Sequence, residues 1–278
     1  MTLVSLINFA QQNVIRRVKN LLSDLTFIRP VRLMNYPELA LIAFILSVVF
    51  SIGGVGSAIA IVPTMTWLGV PLMTAKPTGL FINTLSMLSA TLKNLKHGKL
   101  DHRFGLPILL VATAMAPVGA YAGKIIPKVY VLWVFIAFLL YSGTMMIFFR
   151  PKRRPKEGNH IVEGSIIGGI AGFLGGLLGV GGGGIISPAL IMLGYEPKKV
   201  AATTALVVFF SSLSGFLTYW GMGTLDWRLL LWVSVPAIAG GWLGTHLMHF
   251  KMSSGQVKKV IGIIMYIMAI KIFLVVMG

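Results

Sequence analysis

The sequence predicts an all-α integral membrane protein: eight transmembrane helices in two four-helix repeats, with a broken first helix in each repeat. Three observations predict it. The 278 residues are 56% hydrophobic and 11% charged, with a mean hydropathy of +0.87, whereas a soluble domain carries about 25% charged residues. The apolar residues gather into long runs, enough for about eight spans at about 20 residues each. The chain also matches itself after a shift of 125 residues. This composition excludes a soluble enzyme, a disordered chain and a secreted mini-domain. With no cysteine there is no disulfide framework and no thiolate chemistry; no cofactor and no metal are expected.

Residues 1–36 come first. Leu3, Ile7, Ala10, Val14, Val18, Leu21 and Leu25 recur at helical spacing beside Arg16, Arg17 and Lys19, which predicts an amphipathic helix lying on the membrane surface. A signal peptide is not expected, because no unbroken apolar region follows a basic start. Apolar runs follow at 37–69, 74–93, 104–123, 129–149, 161–194, 199–220, 228–248 and 255–277. The runs 37–69 and 161–194 are about half again longer than a straight span. Each holds a glycine cluster near its middle and a proline a few residues later. Gly costs about 1 kcal/mol and Pro about 3 kcal/mol inside a helix, so both runs are expected to break, near 53–57 and 179–184. Ser187-Pro188 reads as an N-cap followed by proline at the first helical position, starting the outer half-helix there.

The net charge of +17 lies in loops between the apolar runs, so it reads as positive-inside loops attracted to anionic lipid and not as a nucleic-acid surface. Rich loops (Lys93, Lys96, Lys99 and Arg103; Arg150, Lys152, Arg153, Arg154 and Lys156) alternate with poor ones (Lys76; Lys124 and Lys128). That alternation fits eight spans with both termini in the cytoplasm of a multi-pass cell-membrane protein, with 150–160 as a basic cytoplasmic linker. The rival arrangement makes each long run a re-entrant hairpin, which would place the 93–103 loop outside despite four positive charges.

The self-match aligns rare residues. Glu38 falls on Glu163, Pro63 on Pro188, Thr78 on Thr203, Ser86 on Ser211 and Ser89 on Ser214; the loop at 98–103 falls on 223–228. With the offset relaxed to 121, Gly119 and Gly123 fall on Gly240 and Gly244. The repeats are therefore 37–149 and 161–278, and an even number of spans makes them parallel. Duplicated units with matching Gly/Pro-interrupted segments point to a secondary transporter whose site lies at the interruptions.

The segments Gly53-Gly54-Val55-Gly56-Ser57 and Gly181-Gly182-Gly183-Gly184-Ile185-Ile186-Ser187-Pro188 each set a glycine cluster shortly before a proline. With the helix start Ala201-Ala202-Thr203-Thr204-Ala205, this pattern resembles the TauE/SafE sulfite exporter family of the toluene-sulfonate uptake permease superfamily. The resemblance covers about 37–277; the first repeat departs from it where Val55 interrupts the glycines and Ser57-Ala58 replaces glycine. It implies transport of sulfite, organosulfonates or related sulfur oxyanions.

The chemistry stands beside the resemblance. A helix broken at membrane depth frees N–H groups at the start of its second half, and such ends bind oxyanions. Gly53, Gly54, Gly56 and Ser57 in one half, and Gly181, Gly182, Gly183 and Gly184 in the other, form the expected cradle; plain helix packing is the competing account. Thr78 and Ser86, with Thr203 and Ser211, put hydroxyls on one face of the next helix in each half. Asn83, Thr204 and Ser212 add to it asymmetrically. These hydroxyls either bind anion or serve their own helix and its neighbours. Lys76 either draws anions into the path or snorkels to the membrane surface. Gly119/Gly123 and Gly240/Gly244 read as packing motifs.

No acid lies in mid-span: Asp24, Glu38, Asp101, Glu157, Glu163, Glu196 and Asp226 all fall at span ends or in loops. The Asp101/Arg103 and Asp226/Arg228 pairs read as structural loop pairs, and His246 and His249 as interfacial. The expected partners are a small sulfur oxyanion or organosulfonate and membrane lipids, with no nucleic acid; a homodimer is compatible with the chain. Another small anion, an anion channel, or an assembly protein are the alternatives. An intramembrane enzyme would need a nucleophile–base pair or a metal constellation, which the spans do not offer.

Overall fold

Helices cover almost all of the residues the computed structural model describes, which are 36–96, 102–148, 160–223, 225–250 and 254–277. The surface helix expected at 1–36 lies outside them except for its last residue, and so does nearly all of the 150–160 linker. The order is α1 (Tyr36–Ile52), α2 (Ala58–Trp67), α3 (Leu72–Lys96), α4 (His102–Ile125), α5 (Lys128–Phe148), α6 (His160–Leu178), α7 (Gly183–Met192), α8 (Pro197–Gly221), α9 (Trp227–Phe250) and α10 (Ser254–Met277). Five of them are long and apolar enough to cross a membrane, spanning Gly105–Ile125, Lys128–Phe148, Ile161–Leu178, Lys199–Gly221 and Trp227–Leu247.

The two long apolar runs are interrupted between α1 and α2 and between α6 and α7. Positive φ at Gly54, Gly56, Gly179, Gly181 and Gly182 turns the chain at these points, a conformation that side chains with a Cβ rarely adopt. The second restart is a correction to the sequence expectation. α7 begins at Gly183 behind a left-handed Gly182, and Pro188 lies inside it. Pro188 cannot donate to Gly184 O one turn earlier. Ser142 of α5 donates to that carbonyl instead, at 2.9 Å, so the helix continues through the proline. The same substitution occurs in α4, where Pro117 frees Thr113 O and Ser214 of α8 donates to it at 2.9 Å.

Helix partners are exchanged. α6 packs along α4, and α1 packs along α9; α3 meets α8, and α5 meets α10. The α4–α6 seam is glycine-lined: Gly168, Gly172 and Gly176 lie against the carbonyls of Ile108, Ala112 and Ala116. Gly240 and Gly244 of α9 lie in the same way against the α1 carbonyls of Phe44 and Val48. Backbones approach this closely only where one partner lacks a side chain.

The outer surface is apolar. On α9, Leu231 and Val235 are 72% and 73% exposed while Val233 and Ala237 between and beside them are buried, the pattern of a helix with a hydrocarbon solvent on one side. The polar side chains go inward: α3 buries Lys76, Thr78, Asn83, Thr84, Ser86, Thr91 and Asn94. The acids serve helix starts. Glu38 and Glu163 lie in the first turns of α1 and α6, where they complement the helix dipole. Asp226 accepts the backbone N–H groups of Arg228 and Leu229 at 3.1 and 3.2 Å, so it caps α9 through the main chain.

Candidate functional site

The two breaks meet. Gly183, which opens α7, lies against Val55 O in the first break, and Ser187 Oγ reaches Gly53 O at 3.5 Å. Asn83 of α3 stands between Gly56 and Gly181. Its Nδ2 donates to Ser212 Oγ at 2.9 Å, tying α3 to α8 beside the breaks. Ser211 Oγ donates to Gly181 O at 3.0 Å, Ser51 and Ser86 share a hydrogen bond of 2.9 Å, and Ser47 donates to Ser57 at 3.3 Å.

Free polar groups remain at this crossing. Among the described residues no carbonyl accepts the N–H groups of Gly56, Ser57 and Ala58, or those of Gly182, Gly183 and Gly184. Those of Ser57 and Ala58, and of Gly182, Gly183 and Gly184, are the cap and first-turn donors that α2 and α7 cannot use internally, and Gly56 lies just before them. Asn83 Oδ1, beside Gly56, also lacks a hydrogen-bond partner; the other buried side-chain oxygens without one among the described residues are those of Thr91, Thr113 and Thr204. A buried polar atom without a partner is costly, and that of Asn83 sits beside a set of unused donors.

The glycines are also packed. Gly54 lies against the backbone of Ala201, and Gly179 against Lys76; the 125-residue shift carries each contact onto the other. Gly182 faces Ala171 O, and Gly184 faces Ile59 and Phe138. A side chain at Gly183 would strike Val55 O with or without an anion. Substituting these glycines therefore cannot separate binding from packing.

Other expected residues divide. Thr78 Oγ1 donates to Thr74 O of its own helix at 2.8 Å, and Thr203 packs its methyl group against Gly105. Ser214 is committed to Thr113 O, and Ser89 lines a separate apolar cleft beside Trp242. Lys76 does not snorkel: it is 1% exposed, and Nζ donates to Gly123 O at 3.4 Å. His246 stacks on Trp242 with centroids 5.7 Å apart; the side chain of His249 is outside the described residues. Ser142 was not legible as a structural donor, because nothing in the sequence ties it to Pro188. Ser212 was legible only as an asymmetric hydroxyl.

A family model described as "Sulfite exporter TauE/SafE" matches residues 39–272. The chain is similar to a probable membrane transporter protein, YunE, of Bacillus subtilis, at 28% identity over 84% of this chain and 95% of that one. It is similar to a probable membrane transporter protein, MJ0441, of Methanocaldococcus jannaschii, at 22% identity over 84% of this chain and 96% of that one. A shorter similarity, 35% identical over 36% of this chain and 24% of the other, is to sulfite exporter TauE/SafE family protein 6 of Arabidopsis thaliana.

Proposed function

Because this chain belongs to the sulfite exporter TauE/SafE family of membrane transporters, we propose that it carries sulfite, an organosulfonate or a related small sulfur-containing anion across the cell membrane at the crossing of its two broken helices. The observation that carries this is the coincidence of unused N–H donors with the unpartnered Asn83 Oδ1. The donors suit the anion's oxygens. Asn83 Oδ1 can accept a proton-bearing oxygen, which hydrogen sulfite has. Ser211 and Ser212 hold Gly181 and Asn83 in place around that anion.

The architecture belongs to the proposal: eight spans in two parallel four-helix repeats, both termini cytoplasmic. The exchanged pairs α1–α9 and α6–α4 support it, because they map onto each other under the repeat. Tight contacts across the crossing favour alternating access over an open channel, since an anion needs the breaks to part before it passes. Export matches the energetics: an inside-negative potential drives a monovalent anion outward with about 2.3 kcal/mol per 100 mV, and the acids of the described residues all sit at helix starts, away from mid-span. The test is flux from proteoliposomes across a panel of sulfite, thiosulfate, a sulfonate and chloride, with imposed potentials and pH gradients. Flux of sulfur anions over chloride is expected; flux of chloride alone would move the assignment to another class of anion.

A further inference from the structure

At one end of the bundle a cleft of about 410 Å³ opens between the start of α3 and the α4–α5 connection. Its wall carries Lys76, Lys124 and Lys128, set among Pro71, Met73 and Pro127. Lys124 and Lys128 are exposed at the rim, and Lys76 is buried beneath them. Nζ of Lys76 makes one long hydrogen bond, to Gly123 O, and no described carboxylate pairs with it. An ammonium has three donors, so most of its capacity is unused. A methyl group on Gly123 would lie 3.0 Å from Nζ and 3.2 Å from Tyr219 Oη, so two polar tips converge on that glycine.

A buried cation without a counter-charge is strongly disfavoured, and this one lines a cavity whose rim carries two more cations. We infer that the cleft is a second anion site, in series with the crossing, in which Lys76 is the counter-charge for a small oxyanion and Lys124 and Lys128 concentrate anions at its mouth. The link between the two sites is physical: the backbone and Cβ of Lys76 pack against Gly179 in the second break. Occupation of the cleft therefore bears on the position of that break. In the second repeat Ala201 takes the equivalent place, so only one half has this site. The anion class, and the position of the cleft on the transport path, rest on the proposed anion transport; the counter-charge role of Lys76 does not.

The experiment uses the purified full chain in detergent, titrated with sodium sulfite against sodium gluconate at equal ionic strength. Lys76→Gln is expected to weaken sulfite binding about tenfold or more, with Lys76→Arg restoring most of it, because a charge-assisted bond is lost and regained. Lys124→Gln with Lys128→Gln is expected to weaken binding only at low salt, since exposed charges are screened within about 10 Å at 0.1 M. Unchanged binding in Lys76→Gln overturns the inference. Should that variant fail to fold, acetylation of wild-type Lys76 by a small succinimidyl ester is read instead by mass spectrometry. Protection by sodium sulfate over gluconate supports the site; labelling without protection, or no labelling in either salt, overturns it. Asn83→Ala separates the two claims. Loss of binding in Lys76→Gln with normal binding in Asn83→Ala keeps the cleft and removes the crossing. No anion binding by the wild type removes both.

Discussion

Asn83 and Ser212 are joined by a hydrogen bond of 2.9 Å from Nδ2 to Oγ, while the other amide atom of Asn83, Oδ1, has no partner. The bond holds the amide nitrogen on the Gly181 side and leaves the acceptor beside Gly56. A side chain held by one end and idle at the other suits a ligand contact better than a packing device.

Ser211 and Thr78 should separate on substitution. Ser211 holds Gly181 O, whereas Thr78 serves its own helix. Ser211→Ala is expected to weaken anion binding by about 0.5–1.5 kcal/mol, the net worth of one hydrogen bond. Thr78→Val should leave affinity unchanged. Isothermal titration of both purified variants checks this, and equal losses would show that the two hydroxyls do not differ.

Ser142→Ala tests the account of Pro188. It strands Gly184 O, which has no N–H from Pro188 to replace the lost donor. A stability loss of about 1–3 kcal/mol is expected, the cost of a buried unpaired acceptor, seen as a lower melting temperature. Anion affinity of the folded fraction should stay near that of the wild type.

The topology is checked by reporters. Fusions at residues 97 and 155 should report the same, cytoplasmic side, and a fusion at residue 126 the opposite one. Fusions at 97 and 155 both reporting outside, with 126 cytoplasmic, would instead fit the re-entrant arrangement; opposite sides for 97 and 155 would contradict both.

Much of the fold was legible because breaks leave strong chemical marks. Glycine at 53–54 and 181–184, each cluster ahead of a proline, marked where α1 and α6 end. Ser86 and Ser211, read as hydroxyls on one face of their helices, are buried; Asn83, also buried, was legible only as an asymmetric addition. What escaped depended on distant partners. The restart at Gly183 needs Ser142 from another helix, and α4 tolerates Pro117 because Ser214 reaches Thr113 O. The sequence left Lys76 open between snorkelling and drawing anions inward, because its neighbours in sequence do not reveal Gly123 and Tyr219 beside it. The exchange of helix partners was also hidden, since a repeat fixes equivalence and not which half each helix packs against.

On the proposed route anions cross where the two broken helices meet, in contact with Asn83. Sulfite efflux from proteoliposomes under an imposed inside-negative potential tests it, for the wild type and Asn83→Ala, with melting temperatures taken on the same preparations. The wild type should release sulfite faster as the potential grows. Asn83→Ala, folded normally, should be slower by about tenfold, the kinetic equivalent of about 1.4 kcal/mol. Efflux by Asn83→Ala as fast as that of the wild type would contradict the account and place the path elsewhere in the bundle.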